Sequence, residues 1–336
     1  MTSKNDRVSD SAWMSFGAQA MHYFNRPHHA VRRTPVEGAA AWRGVALRER
    51  YWKVGLDATA VNEIDAAVRS ARAAGIAMGA MRRGDFPLPT VGPRLRAWAR
   101  ALDSGRGFLL LRGLPVERWG DDDSALAFWG IGQHLGRPGA QNPQGDLLGH
   151  VVDTGEDAAN PFVRRYRTAG DIAFHCDLAD VVGLLCLRSA SRGGASRLVS
   201  SVSVYNELLR RRPDLIERLY EPFLLDNRDE QRSEAPAFVP VSPCRYADGR
   251  LRTFYHSDYF RSVERHPEAP RFTDLERELL DLYESIANDP DLYLDMALQP
   301  GDVQLVSNHS VLHARTAYTD TAVSQRHLLR LWLSLD

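Results

Sequence analysis

The chain has 336 residues, 44% of them hydrophobic and 25% charged, with a formal net charge of −1. That is ordinary globular composition with ample material for a core, and its scattered basic residues leave no electrostatic footprint for nucleic acid. Cys176, Cys186 and Cys244 make neither a disulfide framework nor a CxxC pair, Met1 to Gln19 lacks a signal-like apolar region, and the longest apolar run, Val181 to Leu187, falls far short of the roughly 20 residues of a membrane span. A reducing, cytoplasmic setting with no membrane and no nucleic-acid partner is expected, and a homodimer is left open.

The first forty residues are polar, carry His22, His28 and His29 near Arg26, Arg32 and Arg33, and lack periodicity, so an irregular arm is expected. Val61, Ile64, Val68 and Ala71 recur at helical spacing from Asp57 to Gly75, where the glycine is a natural stop. A second helix is predicted from Pro93 to about Leu102. Gly107-Phe108-Leu109-Leu110-Leu111-Arg112-Gly113, closed by Pro115, suits a buried strand, and Ser124 to Leu135 returns to helix. From about residue 168, short apolar runs separated by Gly, Ser and Asn predict a β-rich core, with strands in Phe174–Asp177 and Val181–Leu187. Ser203 to Tyr220 reads as a helix interrupted or ended near Pro213. In the firmer helix from Thr273 to Ala287, Thr273 and Glu276 form a capping box, and Leu275, Leu279, Leu282 and Ile286 line one face. Gln299-Pro300-Gly301-Asp302 is a turn, Val303–Val306 a strand and His327–Leu335 the last strand. The pattern is α+β with a mainly β core. Residues 1–100 are expected as an arm and helices packed on that core, and residues 101–336 as the core domain with a helical insertion around 203–290.

The most informative feature is His175-Cys176-Asp177 followed far downstream by His313-Ala314-Arg315, Arg326 and Arg330. Residues i and i+2 of a strand share a face, so His175 and Asp177 reach one metal together while Cys176 turns away. With His313 they make a two-histidine, one-carboxylate set that leaves three adjacent positions open, which suits non-haem Fe(II). A second HxD, His256-Ser257-Asp258, competes. It sits among Phe254, Tyr255 and Tyr259 without a glycine turn after it, whereas His175 is followed by an apolar strand and Gly193-Gly194-Ala195-Ser196. His256 is expected as a pocket wall or a surface residue. His309 competes with His313 for the third position. The proximity of Arg315 and of the returning Arg326 strand favours His313.

Arg326 and Arg330 lie four apart in an apolar stretch and share a face if it is a strand. Buried guanidiniums need anionic partners, supplied either by protein carboxylates or by a dicarboxylate cosubstrate held in bidentate fashion. Ser196, after the glycine pair, is placed to donate to the same carboxylate.

In order along the chain, HxD, GGxS, PGD, a histidine two residues before an arginine, and a final arginine pair resemble the TauD/TfdA family of Fe(II)- and 2-oxoglutarate-dependent dioxygenases, with clavaminate synthase-like members most similar. The resemblance covers roughly Gly107 to Asp336. It implies a double-stranded β-helix, or jelly roll, with flanking helices, iron on His175, Asp177 and His313, and the distal carboxylate of 2-oxoglutarate on Arg326 and Ser196. Arg330 would lie near the cosubstrate's other carboxylate or an acidic group of the substrate. The implied reaction consumes O2 and 2-oxoglutarate, releases succinate and CO2, and hydroxylates an unactivated C–H of a small acidic, amino-acid-like or natural-product substrate, with desaturation and ring closure left open. Halogenation is disfavoured because Asp177 fills the place that halogenating relatives vacate. A JmjC-like protein hydroxylase and an inert cupin-like binding protein are the rival readings. The first commonly holds 2-oxoglutarate through a lysine, and the second has no use for a complete ligand and arginine set. Tyr255, Tyr259, Phe260 and the segment from Gln141 to His150 are candidates for the entrance.

Overall fold

The computed structural model describes residues 12–157, 163–228 and 236–335. Where an irregular arm was expected, helix α1 (Phe16–Phe24) forms, its Ser15 cap accepting from the Ala18 amide. Only Gln19 and Tyr23 of this helix are buried, while its apolar residues Phe16, Ala20 and Phe24, four apart, are half-buried on one face, so tertiary contacts hold this short helix in place. Strand β1 (Lys53–Gly55) leads to α2 (Ala58–Ala73), capped by Asp57, and to α3 (Val91–Ser104). Strand β2 (Phe108–Arg112), helix α4 (Val116–Leu135) and the short strands β3 (Arg137–Gly139) and β4 (Gly149–Val151) follow.

The β-rich part opens with β5 (Ile172–His175), β6 (Val181–Arg188), β7 (Arg192–Gly193) and β8 (Ser196–Ser200). An excursion begins with α5 (Ser201–Arg211), which stops ahead of Pro213, where 3-10 geometry takes over. Two hairpins come next, pairing β9 (Phe223–Asp226) with β10 (Phe238–Val241) and β11 (Cys244–Ala247) with β12 (Arg250–Thr253). Helices α6 (Ser257–Arg261) and α7 (Asp274–Ala287) complete an excursion that is therefore not only helical. The capping box on α7 is present, but Leu275 is 47% exposed, and Leu280 and Tyr283 join Leu279 and Ile286 on the buried face. The chain returns through β13 (Tyr293–Met296), β14 (Val303–Ser307), β15 (Val311–Arg315), β16 (Tyr318–Thr319) and β17 (His327–Ser334).

A seven-stranded sheet runs β1-β2-β14-β6-β17-β3, with β4 also on β17, and a four-stranded sheet runs β13-β8-β15-β5. The two-residue period of each strand decides what meets what. On β17, Leu329, Leu331 and Leu333 pack under the helices α2, α3 and α4. Leu328 and Trp332 instead join Phe108, Val182, Leu198 and Val311 between the sheets. Val199 and Leu312 turn outward from the small sheet into the core formed with α5 and α7. Two facing sheets backed by helices make the double-stranded β-helix, and the same alternation aims Arg330 on β17 and His313 on β15 into its interior.

Candidate active site

Strands β5 and β15 pair with His175 directly opposite His313, and the two imidazole centroids are 4.2 Å apart. Asp177 lies past the end of β5 rather than on it. The Cys176 amide donates to the Tyr255 carbonyl at 2.8 Å, and the Asp177 amide donates to Asn308 Oδ1 at 3.0 Å. These bonds fix the turn, so that one ligand atom from each of His175, Asp177 and His313 lies within 4.8 Å of the other two. Cys176 turns away into the core, as expected of the residue between them.

Charge at this cluster is arranged for a cation. Burial pushes the Asp177 carboxyl upward, but Arg330, His313 and His175 outweigh it, and the group is held below its ordinary value. The Trp332 indole donates to Asp177 Oδ2 at 3.0 Å, while Arg330 Nη1 stands 3.7 Å from Oδ1 and His313 Nε2 3.7 Å from Oδ2. His313 is pushed down to about 3 by burial, then by His175, so at neutral pH it is an imidazole with a free lone pair. His175 Nδ1 lies 2.9 Å from the Ala173 carbonyl. Against a carbonyl that nitrogen must be the donor, which leaves Nε2 as the lone-pair atom, the usual arrangement for a metal-binding histidine.

The competing histidines have other roles. His256 forms an isolated bridge with His175, lines the same cavity, and lies 5.0 Å from the His175 ring, making it a wall of this pocket. His309 is not on a strand. It occupies the turn between β14 and β15, bonded to Asp180 at 2.7 Å and stacked on Tyr23 at 4.5 Å. That same Asp180 carboxylate takes His22 at 2.8 Å and Arg26 at 2.6 Å, which pins α1 to the core.

Arg326 precedes β17, whose register shifts between His327 and Leu328, so the two arginines are not simply i and i+4 of one regular strand. Both are nevertheless buried and line the cavity. Arg326 Nη1 is sealed from solvent without a partner, and its guanidinium stands 5.0 Å from the Tyr318 ring. Arg315 shares that ring at 4.8 Å. Its Nη2 donates to the Thr168 and Gly170 carbonyls, while Nε and Nη1 have no partner. Burial pulls both guanidiniums down from their ordinary values, and on Arg315 the charge of Arg326 is the next cause. Such a pair matches a carboxylate in charge and donor geometry. Gly193 and Gly194 make room for it: at φ +75 and +71, a Cβ would lie 2.2 Å from the Ala317 carbonyl oxygen at the first and 3.1 Å from Arg326 Nε at the second. Ser196 also lines the cavity, but its hydroxyl donates to Gln304 Oε1 at 2.9 Å.

Arg330 is held differently. Its Nε donates to Gln141 Oε1 at 2.7 Å, Gln141 Nε2 donates back to the Arg330 carbonyl at 2.7 Å, and the guanidinium lies between Tyr166 at 4.5 Å and Trp332 at 5.1 Å. Sequence reasoning missed Asn308, Trp332 and Tyr166, and expected Gln141 at the entrance, where the structure instead bonds it to Arg330. Of these, Trp332 carried a signal, because it stands two residues after Arg330 and thus on the same strand face.

The His175, Asp177 and His313 cluster and the guanidiniums of Arg315, Arg326 and Arg330 line one cavity of about 830 Å³. Helix α1 supplies one wall through Phe16, Gly17, Ala20, Met21 and Phe24. Among the expected entrance residues Tyr259 lines the cavity and Pro143 represents the segment from Gln141 to His150. Tyr255 and Phe260 are buried instead, Tyr255 stacked on Tyr283 at 4.2 Å.

The comparisons with known proteins agree with this fold. FR-33289 synthase from Streptomyces rubellomurinus is 30% identical over 312 residues, covering 91% of this chain and 92% of its own length. A structure of asparagine oxygenase with Fe(II), 3-hydroxyasparagine and succinate superposes with a TM-score of 0.68 at 19% identity, covering 85% of this chain and 94% of that one. The oxygenase OrfP with iron and α-ketoglutaric acid does so at 0.63 and 15%, covering 84% and 94%. The sequence model described as taurine catabolism dioxygenase TauD, TfdA family, matches residues 70–332. The chain therefore belongs to the TauD/TfdA family and is an Fe(II)- and 2-oxoglutarate-dependent dioxygenase.

Proposed function

We propose that His175, Asp177 and His313 hold the iron, that Arg326 takes the distal carboxylate of 2-oxoglutarate, and that the enzyme hydroxylates a C–H bond of a small acidic or amino-acid-like molecule. The observation that carries this reading is the pairing of a convergent His-Asp-His cluster with a buried, partnerless Arg326 Nη1 in the same cavity. Iron(II) with 2-oxoglutarate supplies oxygen activation there, oxidising the substrate as the cosubstrate becomes succinate and CO2. The chain's own residues do the rest. Asp177, His175 and His313 bring one ligand atom each to a common point. Trp332 and Arg330 orient the Asp177 carboxylate. Ser196 joins Arg326 on the carboxylate once its hydroxyl hydrogen turns from Gln304. Arg330, already fixed by Gln141, offers its remaining donors to an acidic group of the substrate or to the cosubstrate. Asp177 occupies the position a halide would need, which favours hydroxylation, desaturation or ring closure over halogenation.

The same reading makes residues 101–336 the catalytic domain, with residues 1–100 packed on it, and places the enzyme in a reducing cytoplasm without nucleic-acid or membrane partners. It is supported by three separate buried thiols, by the absence of any helix among the described residues long and apolar enough to cross a membrane, and by the near-neutral charge. Homodimer formation is compatible with it. The decisive experiment adds Fe(II) and 2-oxoglutarate without oxygen, records the visible charge-transfer band, then admits oxygen and follows succinate over a panel of amino acids, sulfonates, aromatic acids and pathway intermediates. A missing band together with no 2-oxoglutarate turnover would refute the reading.

A further inference from the structure

We infer that the cavity carries a second oxyanion subsite, centred on Arg228 at the end of the β9 hairpin strand, and that the primary substrate ends in a carboxylate, sulfonate or phosphoryl group there. This rests on the cavity being the substrate site of the dioxygenase, as proposed above.

Six arginines line the cavity, Arg164, Arg165, Arg228, Arg315, Arg326 and Arg330, against three carboxylates, Asp177, Asp226 and Asp258. Each carboxylate is already engaged. Asp177 faces Arg330 at 3.7 Å, Asp226 is held by Arg265 at 2.8 Å, and Asp258 faces Arg165 at 3.6 Å. Among the described residues no carboxylate lies within ion-pair distance of Arg228, and its Nε is sealed from solvent with no partner. Its Nη2 donates to the Asp258 carbonyl at 3.0 Å, and its guanidinium stacks on Tyr259 at 4.1 Å.

The position is distinct from the cosubstrate's. Arg315 and Arg326 gather on the Tyr318 ring, whereas Arg228 gathers on Tyr259, beside His256, whose ring is 4.1 Å from the same tyrosine. His256 Nδ1 is also sealed without a partner, so the wall pairs a guanidinium with an uncommitted imidazole nitrogen. The backbone adds weight, because Arg228 has φ +47. A non-glycine residue held left-handed costs about 1–2 kcal/mol, and such strain gathers at ligand-binding positions. Its amide donates to Asp226 Oδ1 at 2.8 Å, so the buried Asp226 is used to hold the strained backbone rather than to neutralise the side chain. A cavity of about 830 Å³ accommodates a small molecule that reaches from the iron ligands to this wall.

The test loads the protein with Fe(II) and 2-oxoglutarate without oxygen, records the visible band, and titrates ethylphosphonate, ethanesulfonate, propionate and neutral propionamide by calorimetry. The wild type is expected to bind at least one oxyanion and not propionamide, and the three oxyanions rank the end group. Arg228→Asn, chosen because asparagine tolerates a left-handed backbone, is expected to keep the band and lose about tenfold or more in oxyanion affinity, the size of one charge-assisted contact. Arg228→Met, the second uncharged variant, should do the same, and Arg228→Lys, which keeps the charge but loses the planar fork and its stacking on Tyr259, should retain part of the affinity that the uncharged variants lose. An unchanged affinity in the uncharged variants, equal binding of propionamide, or no oxyanion binding to the wild type overturns the subsite. In each of those cases an intact band leaves the iron and cosubstrate reading standing, while a wild type that forms no band defeats that reading instead.

Discussion

The Trp332 indole donates to Asp177 Oδ2 at 3.0 Å, joining strand β17 of the large sheet to the turn that follows β5 of the small one. The carboxylate proposed to hold iron is thereby oriented from the opposite sheet, and Asn308 fixes its backbone from the β14–β15 turn. Outer partners of this kind typically carry about 10- to 100-fold in metal affinity. Trp332→Phe, which keeps the ring and removes the donor, is expected to weaken Fe(II) binding by about tenfold or more on that basis. Asp177→Ala should abolish both iron retention and succinate formation. Competition with a chelator of known affinity measures the first and a succinate assay the second. Normal iron affinity in Asp177→Ala would move the metal elsewhere.

Arg326 makes a prediction with opposite signs in the free and ligated protein. In the free protein its buried Nη1 has no partner, and an uncompensated buried charge is destabilising. Arg326→Met should therefore leave the melting temperature of the metal-free protein equal or higher. The same change should weaken 2-oxoglutarate by about 10- to 100-fold, the equivalent of roughly 1.5–3 kcal/mol for a hydrogen-bonded charge. Added 2-oxoglutarate should stabilise the iron-loaded wild type by mass action and fail to stabilise the variant. A thermal-shift series with and without cosubstrate reads both, and a variant that loses stability without losing affinity would make Arg326 a structural residue.

The convergence of His175, Asp177 and His313 was legible because coordination chemistry restricts both residue type and spacing: two imidazoles and a carboxylate are conspicuous in a chain with only 11 histidines. The interior face of β17 was legible for a similar reason, since Arg330 inside an apolar run announces a buried cation. What the sequence concealed depends on distant partners. Helix α1 spans only nine residues, too short for its Phe16, Ala20 and Phe24 spacing to stand out, and its anchor is the Asp180 carboxylate, 158 residues away from His22. The position of Asp177 beyond β5 depends on Asn308, which no local pattern links to it. Tyr255 and Phe260 looked like entrance residues because aromatic side chains suit both a pocket and a core, and here the stacking of Tyr255 on Tyr283 decides for the core.

Asp180 ties α1 to the barrel and gives the fold an acid-sensitive joint. Burial raises its carboxyl, but hydrogen bonds from His22 and His309 and the charge of Arg26 outweigh that, holding it far below the ordinary carboxylate value. A folded value below the unfolded one, about 3.9, means the unfolded chain binds the proton first as pH falls. The stabilisation is thus complete above about pH 4 and drains as pH drops below it. Asp180→Asn, which leaves buried His309 and half-buried Arg26 unpaired, should cost about 3 kcal/mol or more at pH 7. The difference between the wild-type and variant melting curves should shrink as pH falls from 5 toward 3 (roughly the window set by that ordinary value). A difference that stays constant with pH would mean that Asp180 acts through packing alone.

Gly194 separates space from backbone conformation beside Arg326. It has φ +71, and a Cβ there would lie 3.1 Å from Arg326 Nε, with Arg326 Cδ and Tyr318 Cβ both at 3.3 Å. Gly145 is a matched control: φ is +94, and an added Cβ meets nothing within 4 Å. Alanine at either position incurs about 1–2 kcal/mol of left-handed strain, so both variants should lose similar stability. Only Gly194→Ala also displaces Arg326, and it alone should weaken 2-oxoglutarate, by about tenfold if one charge-assisted bond is lost. Its Fe(II) affinity should remain normal, because the three atoms nearest that Cβ belong to Arg326 and Tyr318 and not to His175, Asp177 or His313. Calorimetry with 2-oxoglutarate on the two iron-loaded variants decides the matter. Equal affinities would show that Arg326 accommodates the methyl group and that the glycine serves the turn rather than the arginine.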